Sequence, residues 1–127
     1  MSLDIAPLIP IGRQLIQSYR GGKFRIAQIE YPGPVIVFPD RTLAWNVSTF
    51  EDLTTHDFAD IVAAAKSVEV LLLGCGAAMR LPARALKAEL KQAGIIVEPM
   101  DTGAACRTFN VLMGEDRRVA AALLPTS

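Results

Sequence analysis

Several things are scarce in this chain, and each scarcity removes a class of explanation. No apolar run approaches the roughly 20 residues that cross a bilayer. The opening Met-Ser-Leu-Asp-Ile-Ala-Pro has no basic flank and no long apolar stretch, so no secretory signal is expected. One histidine and two cysteines make a poor donor set for a structural zinc ion, and no metal site is expected. Without an export signal, the two cysteines read as reduced thiols of a cytoplasmic protein. Net charge is lacking too: 13 Lys and Arg balance 13 Asp and Glu. Such a sum gives no electrostatic drive toward a phosphate backbone, so a nucleic-acid partner is not expected. The basic cluster Arg80, Arg84, Lys87 and Lys91 reads as a solvated helix face. Internal repeats, linkers and low-complexity stretches are absent as well.

What is present is apolar. Hydrophobic residues make up 51% of 127 residues and charged ones 20%. That suits one domain, residues 1–127, with a real core. The most telling stretch is Val68–Gly76, Val-Glu-Val-Leu-Leu-Leu-Gly-Cys-Gly. A short continuous aliphatic run is the mark of a parallel strand buried on both faces, so this stretch reads as the central strand of a parallel layer.

The remaining elements follow from periodicity and punctuation. Leu3–Ile11 is apolar but broken by Pro7 and Pro10, and reads as an extended lead-in. Gln14–Tyr19 and Lys23–Tyr31 read as two antiparallel strands across a hairpin turn at Gly21-Gly22. Val35–Phe38 reads as a buried strand and Thr42–Trp45 as a short one. A first helix is announced by Thr54 and Asp57, spaced as a capping box, and by the stripe Phe58, Ile61, Val62, Ala65. Pro82, suited to the first helical position, opens a second helix with the stripe Leu86, Leu90, Ala93, which Gly94 stops. Ile95–Pro99 is the next strand, in a right-handed parallel crossover from the central one. A third helix runs from Asp101-Thr102-Gly103 to Gly114 and turns Ala105, Phe109 and Leu112 inward. Val119–Leu124 is a last strand whose direction the pattern leaves open. The sum is an α/β domain: two N-terminal antiparallel strands, then a mixed sheet with helices packed against it.

Ligand crevices in such sheets form outside the carboxyl ends of the strands. Three segments converge there: Gly74-Cys75-Gly76 with Met79, then Asp101-Thr102-Gly103, then Cys106, Arg107 and Asn110. Glycines open the backbone to a ligand, and a helix start attracts anions. Asp101 is an acid/base candidate or a helix cap. Arg107 is an anion clamp or an ion-pair partner of Glu115 or Asp101. Cys75 is a reactive thiol or a small buried hydrophobe, and a Cys75–Cys106 bridge is conceivable. The dinucleotide fingerprint fails at its third glycine, near Arg80 and Leu81, and no lysine-bearing phosphate loop exists, so no cofactor is expected. His56, in the first turn of the first helix, stands far from Cys75 in sequence. The residues alone do not say whether any reaction occurs; a polar, glycine-rich edge with no complete catalytic constellation makes a non-catalytic binding or assembly module the leading expectation. The alternative is an enzyme or binding protein for a small anionic metabolite in the 74–79 and 101–110 crevice.

Leu71–Gly76, Met100-Asp101-Thr102 and above all Thr102-Gly103 with Ala105–Leu112 resemble a small family of uncharacterised bacterial and archaeal proteins. That family includes the mitochondrial complex I (NADH:ubiquinone oxidoreductase) assembly factor 3. The strand bounded by Pro34 and Pro39, and Trp45, are similar as well, so the likeness covers nearly the whole chain. It implies a three-layer α/β fold, with a mixed central sheet, helices on both faces and an added N-terminal antiparallel hairpin. It also implies protein partners in respiratory-complex assembly or membrane-protein biogenesis, no known enzyme activity, and room for peripheral membrane association. The chain shows no mitochondrial targeting extension, so the expectation is a prokaryotic, cytoplasmic form.

Overall fold

Five strands form one sheet in the computed structural model, which describes residues 12–126; the lead-in expected at Leu3–Ile11 lies outside them. The strands are β4 (Val35–Phe38), β5 (Arg41–Ala44), β6 (Val70–Gly74), β7 (Ile96–Met100) and β8 (Val119–Leu123), in the order β5-β4-β8-β6-β7. β6 runs parallel to both β7 and β8, whereas β4 is antiparallel to β5 and β8, so the sheet is mixed. A second, three-stranded sheet, β1 (Ile16–Ser18), β2 (Phe24–Ile26) and β3 (Ile29–Tyr31), is antiparallel throughout.

Three helices complete the fold: α1 (Ala59–Ala63), α2 (Arg84–Gln92) and α3 (Thr102–Gly114). Side chains alternate across the five-stranded sheet and build two cores. Ile36, Phe38, Leu71, Leu73, Ala120 and Ala122 pack with Phe58, Ile61, Leu86 and Leu90 of the α1 and α2 side. Val35, Val37, Leu72, Val119, Ala121 and Leu123 pack with Ala105, Phe109 and Met113 of α3 and with Ile16, Phe24 and Ile26 of the small sheet. The two crossovers account for this arrangement. The chain steps from β6 outward to β7 through α2, then back across β6 to β8 through α3. Crossovers of one hand that travel in opposite directions place their helices on opposite faces.

Val70–Gly74 is the central strand of the parallel layer, between β7 and β8, as its pattern indicates. The middle of the whole five-stranded sheet is the last strand, Val119–Leu123, buried along its whole length. Its direction is now set, parallel to β6 and antiparallel to β4. Lys23–Tyr31 is not one strand: Ala27 (φ 49°) and Gln28 (φ 73°) reverse the chain and split it into β2 and β3. The N-terminal hairpin is therefore a three-stranded meander. The turn was hidden because neither residue is one that favours positive φ. Its amides are held instead by tertiary partners, Ala27 N–H by the Leu15 carbonyl at 3.0 Å and Gln28 N–H by Gln17 Oε1 at 2.8 Å.

Pro82 is not the first residue of α2, which starts at Arg84 after Ala83. Its end is as expected: Gly94 at φ 87° closes a Schellman motif, with Ile95 N–H donating to the Leu90 carbonyl and Gly94 N–H to that of Lys91. The first helix is also less regular than its stripe suggests. A 3-10 turn, Thr55–Phe58, precedes α1 and another, Ala65–Ser67, follows it, so Val62 turns outward at 38% exposure. Asp57 nonetheless accepts the Thr54 N–H at 2.8 Å, as a capping side chain should. The 3-10 turn also delivers Phe58 against Trp45, ring centres 5.4 Å apart, and Trp45 Nε1 donates to the Asp57 carbonyl.

Candidate functional site

The carboxyl ends of β6, β7 and β8 lie side by side, and the side chain of Thr102 sits among them, fully buried. Its hydroxyl donates to the Leu124 carbonyl at 2.6 Å and accepts the Gly76 N–H at 2.9 Å. Thr102 N–H donates to the Gly76 carbonyl and Cys75 N–H to that of Met100, each at 2.9 Å. Leu124 N–H closes the ring on the Gly74 carbonyl at 3.0 Å. One threonine thus ties the exits of three strands. Gly74–Gly76 and Met100–Thr102 are neighbours at the strand exits, whereas Arg107 and Asn110 reach Tyr19 and Ile16 of the meander.

The glycines serve this closure. A Cβ on Gly74 would stand 2.8 Å from Leu123 Cδ2 and 3.2 Å from the Thr102 Cα. Gly76 adopts φ 96°, which turns the chain out of the sheet. A Cβ on Gly103 would meet the Tyr19 hydroxyl at 2.8 Å. Tyr19 therefore lies over the start of α3, where Arg107 donates to its hydroxyl at 3.3 Å. Tyr19 is the residue that sequence reasoning missed. Its signal was weak: a glycine in the first turn of a helix, implying that something packs there.

Asp101 caps α3, its carboxylate accepting the Ala104 N–H at 2.9 Å. Arg107 takes neither Glu115 nor Asp101 as an ion-pair partner among the described residues. Asn110 lies a turn further on and acts as a prosthetic strand for β1. Its Oδ1 accepts the Ile16 N–H and its Nδ2 donates to the Ile16 carbonyl, both at 2.9 Å. That pair joins the meander to α3.

The two thiols are buried and free. Cys75 Sγ donates to the Leu73 and Arg80 carbonyls at 3.4 Å, and burial pushes its pKa up despite those contacts. Burial pushes Cys106 from the ordinary 9.0 up to about 12. Both are neutral thiols near pH 7. Because the folded state holds these protons more tightly than the unfolded one, their ionisation erodes stability at alkaline pH, for Cys106 as pH rises from about 9 toward 12. A Cys75–Cys106 bridge is not formed.

Of the ten residues singled out, Gly74, Cys75, Gly76, Thr102, Gly103 and Cys106 are buried, Asp101 and Asn110 half-buried, and Met79 and Arg107 exposed. A small anion at this junction would find the amides of Gly76 and Ala104 already engaged by Thr102 and Asp101. The outer surface is different in kind. Ala77–Ala83 carries no helix or strand and projects Met79 at 53% and Leu81 at 75% exposure. His56 is exposed as well, and lines a separate cleft with Trp45 and Asp60 rather than this junction. No group of His, Cys, Asp and Glu that could hold a metal ion occurs among the described residues. None of their helices is long and apolar enough to cross a membrane.

Comparison with known proteins adds names to this geometry. A family model described as protein of unknown function (DUF498/DUF598) matches residues 16–124. The Danio rerio protein named NADH dehydrogenase (ubiquinone) 1 alpha subcomplex assembly factor 3 is 42% identical over 112 residues, 87% of this chain and 64% of that protein. An uncharacterised Rhodobacter capsulatus protein is 39% identical over 110 residues, 87% of this chain and 83% of that one. A Bordetella pertussis protein solved in solution as an Mth938-like domain superposes with a TM-score of 0.86 at 27% identity, covering 100% of this chain and 94% of that one. The chain spans about three fifths of the length of the vertebrate assembly factors it matches.

Proposed function

Because the chain belongs to the DUF498/DUF598 family, whose relatives at 36–42% identity include complex I assembly factors, we propose that it is a non-catalytic binding module for protein partners. In this reading it supports the assembly of respiratory complex I or another membrane-protein complex, and works in the cytoplasm. The observation that carries the reading is the contrast at the strand exits. The polar groups of Gly76, Thr102 and Leu124 are bonded to one another, whereas Met79 and Arg107 stand exposed on either side of the sheet. The buried members of the set, Gly74, Cys75, Gly76, Thr102, Gly103 and Cys106, hold the junction between them in shape. Asn110 fixes the meander beside it. Met79, Asp101 and Arg107 are the members a partner touches.

A tagged chain, cross-linked in its native host and recovered from the membrane fraction, should bring down respiratory-complex or membrane-biogenesis components. The pair of changes Met79→Glu and Arg107→Glu should abolish the recovery while leaving the melting temperature within a few degrees. Recovery of no such component, or equal recovery by both proteins, would remove the proposal.

A further inference from the structure

Beside the projecting loop lies a notch of about 230 Å³, lined by Phe50, Leu53, Pro82, Ala83 and Leu86. Arg80 closes one side, its guanidinium 4.6 Å above the Phe50 ring and ion-paired with Glu51. That pairing, after the bond from the backbone of Glu51 itself, holds the Glu51 carboxyl below its usual range. The notch is therefore an apolar hollow with a fixed, neutralised rim, wide enough for one aliphatic or aromatic side chain.

The helix that forms its wall carries three cations, Arg84, Lys87 and Lys91, against one anion, Glu89. Leu86 and Leu90 face the core, which turns Arg84, Ala88 and Lys91 outward with Lys87 alongside. All three cations are exposed. Seven of the thirteen Lys and Arg have no ion pair among the described residues, and three of those seven, Arg84, Lys87 and Lys91, fall together on this helix. Arg84 moreover stands in the first turn, at the positive end of the helix, with no acidic residue there and no side-chain cap. A cation in that place opposes the helix dipole and weakens the helix. Such breaks in a local rule are expected at functional or strained sites.

We propose that this face docks an acidic, amphipathic protein segment. One apolar side chain of the partner enters the notch between Phe50, Leu53 and Leu86, its carboxylates meet Arg84, Lys87 and Lys91, and Met79 and Leu81 extend the apolar contact along the loop. The proposal rests on the reading of the chain as a protein-binding module and names the chemistry of its partner. A protein segment fits better than a lipid surface. The notch accepts a single anchor below the surface, whereas a bilayer would need apolar groups standing proud of all three cations. The chain's overall neutrality makes the stripe a local feature rather than part of a general basic field.

The test uses a fluorescently labelled helical peptide bearing a central Leu flanked by Glu on one face, titrated by anisotropy with the full chain. Binding should weaken roughly tenfold in the triple variant Arg84→Gln, Lys87→Gln, Lys91→Gln, as expected for three exposed pairs lost together. It should fall comparably when the peptide's Leu becomes Ser and when its Glu residues become Gln. Equal binding by the Glu and Gln peptides overturns the proposal. So does tight binding of phosphatidylglycerol vesicles by a chain that ignores the peptide. If the triple variant still recovers the assembly components from its host, this docking face is wrong while the wider reading stands.

Discussion

Two regions only a few residues apart in sequence follow opposite rules. At the strand exits, Thr102 places its hydroxyl between the Gly76 amide and the Leu124 carbonyl. A few residues on, Met79 and Leu81 stand in solvent, and Arg84, Lys87 and Lys91 have no carboxylate among the described residues. The first region is where the fold closes on itself. The second is where closure is withheld. A buried polar group must find its partner within the molecule, whereas an exposed one can leave that partner to another molecule.

The comparison is most sharply broken at Thr102. Thr102→Val keeps the shape and removes the hydroxyl, leaving the Gly76 amide and the Leu124 carbonyl buried with one bond fewer each. Unfolding in urea should show a loss of about 3 kcal/mol, from one to three for each stranded group. A loss below about 1 kcal/mol would mean that this junction does not hold the strand ends together. Asp101→Ala, which deletes only a helix cap at the junction's half-exposed edge, should cost about 1 kcal/mol in the same measurement. Smallest of all is the change across the boundary. Leu81→Ser should leave stability within about 0.5 kcal/mol, as expected for a side chain that packs on little. If that substitution destabilised the chain like Thr102→Val, the loop would belong to the fold, and the distinction between the two regions would collapse.

The legibility of these regions follows from the range of the interactions that make them. The aliphatic run at Val70–Leu73, the stripe Leu86–Leu90 and the stop at Gly94 are local patterns, and each element stands close to where periodicity placed it. The capping roles of Asp57 and Asp101 were readable for the same reason, since a cap and its amide are three residues apart. The turn at Ala27-Gln28 was not readable, because its amides are held by Leu15 and Gln17 across the meander. Nor was the central place of Val119–Leu123: alanine-rich strands carry a weak β signal, and only the approach of two packed layers favours small side chains there. At the candidate site the glycines and Thr102 were found by position. Their tertiary contacts were out of reach, as were Tyr19 on Gly103 and Asn110 on Ile16.

The sequence by itself determined an α/β chain with its apolar strands, the boundaries of its second and third helices to within a turn, and the meeting of Gly74–Gly76 with Asp101-Thr102. Those properties come from periodicity and from bonds between near neighbours. Only the tertiary structure decided that β8 sits in the middle, that two positive-φ residues make a third meander strand, and that Thr102 closes the strand exits. Those outcomes depend on groups 11 to 26 residues apart, and on strands further apart still, meeting in space, and no local pattern records which distant partner will satisfy a buried amide or fill the room beside a glycine.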